Sequence, residues 1–242
     1  MSCILDFMQF KEVMLELESM GSESTRKTYL RHGAPDSFFG VKVGDLKTIV
    51  KKLKKNHALS LELYRSGNSD AMYLAGLIAD EKKINKEELE EWARLASWYM
   101  ISEYTVAWVA AESKFGWELA SRWIRSEEDK IQSSGWSTYS NLLMLTPDEK
   151  IDKKLISELV EEVGKKIHTA PNRTKQCMNG FMIAAGSQIE LLMPRIKELS
   201  KQIGKVEVDM GDTKCMTPDI GEYIDKTVAR AGFGKKKKTA RC

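Results

Sequence analysis

The sequence predicts an all-α protein built as a curved stack of antiparallel helix pairs, of the HEAT or armadillo type. Three observations support this fold class. Apolar residues recur at the 3.6-residue period of a helix along nearly the whole chain. Capping residues and glycines lie at the ends of these stretches, and the connections between them are short. About twelve helices in 242 residues give one pair per roughly 35 to 45 residues, the period of such repeats. A compact globular all-α fold is the alternative, because no literal sequence repeat is visible.

The amphipathic pattern is clearest at Leu46, Ile49, Val50 and Leu53, which form one apolar face while lysines occupy the other. Each such stripe must bury its apolar face against a neighbour, so consecutive helices are expected to pack as antiparallel pairs. Similar stripes predict helices over residues 4–20, 71–82, 89–96, 104–113, 117–125, 155–167, 179–185, 191–203 and 220–229.

Start and stop signals agree with these helices. Polar residues followed by acids predict amino-terminal caps at Ser22, Asn85, Ser126 and Thr146, because a side-chain oxygen and nearby negative charge favour the amino end of a helix. Thr217, which precedes Pro218, predicts the start of the last helix. Helix stops are expected at Gly21, Gly33, Gly67, Gly116 and Gly204.

Two stretches interrupt the helical period. Residues 32–44 are predicted to form a loop, because glycine and proline occupy turn positions. Residues 204–212 alternate apolar and charged side chains and predict one short extended segment. We therefore divide the chain into a helical-repeat domain, residues 1–203, and a carboxyl-terminal extension, residues 204–242, that ends in a final helix and a lysine-rich tail expected to be mobile.

Charge is distributed unevenly. Six of the 38 basic residues follow Ala229, whereas all 35 acidic residues precede it. A second basic block runs over residues 26–55, where Asp36 and Asp45 are the only acids. Two basic surfaces on a nearly neutral body favour a polyanionic partner, although lysine-rich helix faces are also common as plain solvated surfaces.

Several function classes are disfavoured. The longest apolar runs fall far short of the roughly 20 residues of a membrane helix, and no secretory leader is visible. Four scattered cysteines favour the cytoplasm. Three scattered histidines and the lack of a phosphate-binding loop predict no metal and no cofactor. Asp209, Asp212 and Cys215 could converge on a metal, but turn formation explains such a loop more simply. We expect a monomer.

Aromatic residues are dense between Trp92 and Tyr139. Within this stretch Trp98 and Tyr99 lie about 100° apart on a helix, so Trp98 can face the core while Tyr99 faces the groove. Glu103 follows Tyr99 by about one turn on the same side. A ring beside a carboxylate could stack on a base and stabilise a developing cation. A partly exposed tyrosine with a solvated glutamate is the alternative.

The stretch from Tyr29 to Lys47, with its Phe39-Gly40-Val41-Lys42-Val43-Gly44-Asp45 core, resembles the amino-terminal signature of the DNA alkylation repair proteins, the HEAT-like alkylpurine DNA glycosylases. The acidic helix that runs into Trp98 and Tyr99 is similar as well, and the similarity covers most of residues 1–190. In active members an aromatic residue, an aspartate four positions later and an arginine from the next repeat line the cleft. These active members act on positively charged N-alkylated purines in DNA.

Transferred position by position, the resemblance implies that Tyr99 and Glu103 are catalytic. Ser133 stands closest to the family arginine, and Trp136 would offer a stacking surface beside it. A glutamate extends the carboxylate by one methylene, and a serine cannot make the two-pronged phosphate contact of an arginine. The predicted phosphate contacts are Lys42, Lys47, Lys51, Arg173, Lys175, Lys235, Lys236, Lys237 and Lys238.

Three functions follow from these patterns. The first is hydrolysis of the N-glycosidic bond of a cationic alkylated purine in duplex, damaged or distorted DNA, with Glu103 stabilising the sugar cation or positioning water. The second is DNA or RNA binding without catalysis, which predicts an affinity that falls steeply with salt. The third is a scaffold for a protein partner, a common use of helical repeats.

Overall fold

A computed structural model describes residues 9–241, and all regular secondary structure in that range is helical. The predicted all-α stack of helix pairs is confirmed. A short π-helical segment, Met100–Val106, leads directly into α7, and brief 3-10 turns lie at Asp148–Lys150 and Glu190–Leu192. The α-helices are α1 Phe10–Met20, α2 Glu23–Arg31, α3 Leu46–Leu53, α4 His57–Arg65, α5 Ser69–Ile78, α6 Lys86–Leu95, α7 Ala107–Glu112, α8 Gly116–Trp123, α9 Asp129–Leu145, α10 Lys153–Lys166, α11 Asn172–Gln188, α12 Met193–Ile203 and α13 Ile220–Ala231.

Two predicted amino-terminal caps are present in the structure. The Ser22 hydroxyl accepts a hydrogen bond from the Thr25 amide at 3.3 Å. The Asn85 side chain accepts from the Glu88 amide at 2.8 Å, and the Glu88 carboxylate accepts from the Asn85 amide at 2.9 Å. This reciprocal pair satisfies two otherwise unpaired amides at the start of α6. Ser126 closes a turn instead, and α9 begins three residues later.

Other predicted boundaries are wrong, and stronger caps explain two of them. α10 does not begin at Thr146, because the Asp152 carboxylate accepts from two backbone amides six residues further on. The Asp219 carboxylate likewise caps α13, so Thr217 does not. A carboxylate is favoured over a hydroxyl at the positive end of the helix dipole. Gly116 begins α8 and does not end a helix.

The helices form two rows. α3, α5, the π segment with α7, α9, α11 and α13 pack side by side in the inner row. The interior helix α5 is almost completely buried. Helices α4, α6, α8, α10 and α12 form an outer row that shields one side of the inner one. The amino ends of the inner helices therefore meet along one edge of the stack and their carboxyl ends along the other.

Ion pairs join successive helices of the outer row and join α12 to α13, so many of these charges are paired within the stack. The pairs are Arg65 with Glu91, Arg122 with Glu90, Lys86 with Glu118, Arg125 with Glu162, Arg195 with Glu161, and Lys197 with Asp225.

Residues 204–219 contain no regular secondary structure, and the predicted extended segment lies here. Val206 and Ile220 are buried in the same apolar cluster as Phe181 and Ile196. The division at residue 203 stays a prediction.

The prediction of a mobile lysine tail is wrong, because residues 233–241 pack along the stack. No helix among the described residues is long and apolar enough to cross a membrane. The beginning of the first predicted stripe, residues 4–8, lies outside the described residues, as do Cys3 and Cys242.

Candidate functional site

The Glu103 carboxylate lies in the π segment at the amino edge of the inner row. Its side chain is only 5% exposed, and Tyr99 precedes it by four residues on the same side. π-helical turns are rare, occur mostly as single turns within α-helices, and are frequently found at functional sites. The predicted proximity of Tyr99 and Glu103 is therefore present, but the carboxylate is buried rather than open to the groove.

Arg173, from the start of α11, completes this site. Its guanidinium donates two hydrogen bonds to Glu103, from Nε to Oε1 at 2.6 Å and from Nη2 to Oε2 at 2.7 Å. The same guanidinium lies over the Tyr99 ring, 4.2 Å from the ring centre. Its remaining terminal nitrogen, Nη1, contacts the Met210 sulfur at 3.3 Å. Arg173 is thus held by a carboxylate, an aromatic face and a sulfur, and it is not a free phosphate contact as the sequence suggested.

Asp129 fixes the backbone beneath Arg173. One carboxylate oxygen of Asp129 accepts from the Arg173 amide at 2.9 Å, and the other accepts from the Thr174 amide and hydroxyl, both at 2.8 Å. Asp129 is the first residue of α9, and its carboxylate caps the amino end of a different helix, α11. No local pattern reveals such a cap, because the two residues are 44 positions apart.

Burial dominates the electrostatics of the site. It raises the pKa of the Glu103 carboxyl above its ordinary value, and the hydrogen-bonded Arg173 guanidinium opposes that rise. The Cys177 thiol is buried nearby, and burial together with the Glu103 charge raises its pKa well above the ordinary value. Burial and the same carboxylate raise the pKa of Tyr104 to about 12. Cys177 and Tyr104 therefore remain protonated at neutral pH and offer no anionic nucleophile.

The loop predicted at residues 32–44 borders the site and is held by Asp70. The Asp70 carboxylate accepts hydrogen bonds from the amides of Phe39, Gly40 and Val41 at 2.7, 2.9 and 3.3 Å. The Tyr29 hydroxyl donates to the Val41 carbonyl at 2.8 Å. Gly40 has a φ of +85°, and a side chain on it would lie 2.8 Å from the Ser22 carbonyl oxygen, so this position of the loop requires glycine.

An aromatic group continues the site toward this loop. The Trp98 ring lies 4.9 Å from the Tyr99 ring and 5.5 Å from the Tyr29 ring, measured between ring centres. Trp98 is half-buried and also packs against the apolar core. The half-buried rings of Tyr29, Trp98 and Tyr99 form an aromatic surface beside the Glu103–Arg173 pair.

Residues 204–219 lie across the amino edge. Asn172 and Asp209 exchange two hydrogen bonds, at 2.9 and 2.8 Å, next to Arg173. Gly211, with a φ of +74°, approaches the end of α2 so closely that a side chain on it would lie 2.2 Å from the Arg31 carbonyl oxygen. The segment thus joins the last repeats to the first across the site.

Two residues predicted to line the site do not reach it. Trp136 is 0% exposed and packs against Phe181, with 5.1 Å between ring centres. Ser133 is also fully buried, and its hydroxyl donates to the Lys130 carbonyl at 3.1 Å. Both predictions are wrong, because these faces of α9 pack inside the stack.

The predicted lysine contacts differ in their surroundings. Lys42, Lys47 and Lys51 are exposed, and no carboxylate in residues 9–241 pairs with them, whereas the neighbouring Lys52 and Lys55 pair with Glu16 and Glu81. Lys175 is half-buried, while Lys235, Lys237 and Lys238 are exposed. Lys236 turns inward and donates to the Leu143 carbonyl at 2.8 Å, so it does not belong with the solvent-facing set.

No group of three or more metal-ligating side chains occurs within residues 9–241. Asp209 and Asp212 lie in the segment that crosses the amino edge, where an Asp209 oxygen accepts from the Gly211 amide at 2.8 Å. The turn interpretation of this loop therefore accounts for Asp209.

The stacked helix pairs and a buried carboxylate with an aromatic and an arginine partner define a HEAT-like repeat protein of the DNA alkylation repair class. A model of the family described as "DNA alkylation repair enzyme" matches residues 13–192. The chain therefore belongs to the DNA alkylation repair enzyme family.

A solved structure and two bacterial proteins are similar to this chain along most of its length. One solved structure is described as "a new family of proteins related to the HEAT-like repeat DNA glycosylases with affinity for branched DNA structures". It is 40% identical, with a TM-score of 0.89, over 97% of this chain and 100% of that one. Uncharacterized proteins of Listeria innocua and Listeria monocytogenes are each 34% identical over 223 residues, 90% of this chain and 96% of theirs.

Proposed function

We propose that the protein binds DNA, with a preference for branched or otherwise distorted DNA, and that its buried site does not hydrolyse a glycosidic bond. The observation that carries this proposal is the position of Arg173, stacked on Tyr99 and paired with both oxygens of Glu103. The chain itself occupies the place that a substrate base would need.

The chemistry of that place supports the proposal. An N-alkylated purine is a planar cation, which an aromatic face and a carboxylate would recognise. The Arg173 guanidinium is also a planar cation, and it already uses both groups. A lesion base could enter only if Arg173 left, and Glu103 would then be a buried charge without a partner, at a cost of several kcal/mol. A carboxylate whose two oxygens accept from a guanidinium is also poorly placed to activate water.

The DNA-binding surface would include the loop before α3 and α3 itself. Lys42, Lys47 and Lys51 are exposed there without a carboxylate partner among the described residues, and they belong to the basic block of residues 26–55. Unpaired cations can neutralise phosphates and release counterions. The affinity for branched DNA of the solved relative, 40% identical along nearly the whole chain, supports the same partner here.

Simultaneous replacement of Lys42, Lys47 and Lys51 by alanine tests the proposal. We expect weaker binding to both a four-way junction and a linear duplex, and a dependence of log affinity on log salt that is shallower by up to about 3, near 0.9 for each lost phosphate contact. Fluorescence anisotropy between about 50 and 200 mM salt measures both quantities.

The matched control replaces Lys154, Lys165 and Lys201, which are exposed, have no carboxylate partner among the described residues and lie on the outer helices α10 and α12. Equal affinities of the two triple variants, or DNA binding that does not respond to salt, would contradict the proposed surface. A wild-type protein that binds no DNA would favour the scaffold function instead.

A further inference from the structure

The last described residues form a strap along the carboxyl edge of the inner row. We call residues 233–241 the C-terminal strap. The Gly234 amide donates to the Ser187 carbonyl at the end of α11 at 3.0 Å, and the Lys237 amide donates to the Met144 carbonyl at the end of α9 at 2.9 Å. The Ala240 amide donates to the Glu112 carboxylate at the end of α7 at 2.8 Å. The strap therefore crosses these helices in reverse order, from the last repeat toward the first.

Arg241 anchors the far end of the strap. Its side chain is 8% exposed and pairs with Glu112 at 2.9 Å and with Glu81 at 3.1 Å. It also donates to the Ala79 carbonyl, just beyond α5, at 2.7 Å. The partly exposed lysines between Gly234 and Arg241 are thus held between two fixed points.

The strap reaches from α11 to α5 in few residues, with bends at Lys238 and Ala240. Seven residue steps from Gly234 to Arg241 span about 25 Å at most. The distance from α11 to α5 is three helix spacings of roughly 8 to 10 Å each. Along the strap the Lys236 ammonium faces inward and donates to the Leu143 carbonyl, while Lys235, Lys237 and Lys238 are exposed to solvent.

The outward lysines are not neutralised by the body. No carboxylate among the described residues pairs with Lys235, Lys237 or Lys238. Glu81 and Glu112 lie in the same groove, but Lys55 and Arg241 already pair with them. The acids whose charges affect the pKa of Lys236 are Asp148 and Glu149, and Asp148 already pairs with Lys153. The strap therefore presents a fixed row of free cations.

This row lies at the opposite edge from Arg173. Helix α9 joins the two edges, and its 17 residues span about 25 Å, roughly twice the ~12 Å width of a DNA major groove. We infer that the C-terminal strap contacts a second arm of a branched DNA while the Lys42, Lys47 and Lys51 surface contacts the first. This inference rests on the proposed DNA-binding function and assigns a separate surface to the branch.

The test replaces Lys235, Lys237 and Lys238 by alanine and leaves Arg241 in place. Affinity is measured for a four-way junction and for a linear duplex of matched arm sequence. We expect affinity to fall about 10-fold or more for the junction and less than about 2-fold for the duplex. The slope of log affinity against log salt should become shallower by about 2 to 3 for the junction alone. Hydroxyl-radical footprints should lose protection on one arm and keep it on another.

The Lys154, Lys165 and Lys201 triple variant controls for net charge, and thermal unfolding controls for folding. Equal losses on the two DNAs would show one continuous surface and overturn the inference, as would a junction affinity that does not change. In both cases wild-type protein still binds DNA, so the proposed function stands. Failure of wild-type protein to bind either DNA would overturn the proposed function and this inference with it.

Discussion

Glu103 shows how one residue can be identified by sequence while its chemical state cannot. The spacing from Tyr99 to Glu103 indicated a shared side, and both residues do contact Arg173. The partner was not predictable, because Arg173 is 70 positions away and reaches Glu103 only through the packing of α11 on α9. Arg173 thus brings an arginine to the site from α11, but its guanidinium pairs with Glu103 and stacks on Tyr99 and is not a phosphate contact.

Replacement of Arg173 by alanine should destabilise the fold by about 3 kcal/mol or more at neutral pH, because it leaves the Glu103 carboxylate buried without its partner. The free energy of unfolding from urea titrations measures this loss. The pKa of Glu103 is already raised by burial, and removal of the cation should raise it further.

A group whose pKa is higher in the folded than in the unfolded protein makes its full contribution to stability below the unfolded-state pKa. That contribution is lost as pH rises through the folded-state pKa. The defect of the Arg173→Ala variant should therefore shrink between pH 8 and pH 5. A second substitution, Glu103→Gln, in the same variant removes the titrating group and should abolish this pH dependence. A defect of equal size at both pH values would contradict the assignment.

Trp136 and Ser133 show the opposite outcome at the residue scale. Their positions were inferred from one linear correspondence, and α9 turns both side chains into the stack. A helical period tells which residues share a face, but α9 is covered by α8, α7 and α11, so most of its faces are buried. The sequence could not tell which remaining face was open.

At the scale of elements, close helix contacts depend on glycines. A side chain on Gly135 of α9 would lie 2.7 Å from the Ile124 amide nitrogen and 3.0 Å from the Trp123 carbonyl carbon, both backbone atoms that cannot move independently. This glycine therefore sets the distance between the end of α8 and α9, and with it the position of the Asp129 cap beneath Arg173.

Gly135→Ala should accordingly cost about 1 to 3 kcal/mol of unfolding free energy, because the added methyl group forces α8 and α9 apart. Gly180→Ala is the matched control, since nothing lies within 4 Å of its added methyl group and alanine favours a helix by up to about 1 kcal/mol. Thermal or urea unfolding measures both variants. Similar destabilisation by the two substitutions would show that the glycine contact is not the cause.

Helices were more predictable than their boundaries. The apolar stripe of α3 appears as predicted, because a buried face needs the 3.6-residue period whatever its neighbours are. Boundaries depend on which cap is strongest, and Asp152 and Asp219 outcompete the threonines that precede them. The π segment has no signature in the local sequence.

At the scale of the whole molecule, two irregular segments cross the stack at opposite edges. Residues 204–219 cover the amino edge near Arg173, and the C-terminal strap covers the carboxyl edge. Repeat proteins bury a core only between neighbours, so such long-range crossings are additional links between the last repeats and the first. Composition indicated a basic tail but not its path, because its contacts are with helix ends more than 40 residues away.

We propose that this protein binds DNA and that Arg173 fills the place that a substrate base would need. The most direct measurement is release of N7-methylguanine and N3-methyladenine from methylated duplex DNA, with protein in excess and the DNA shown to be bound. We expect release at the spontaneous rate, unchanged by Glu103→Gln. Release faster than the spontaneous rate that Glu103→Gln abolishes would contradict it.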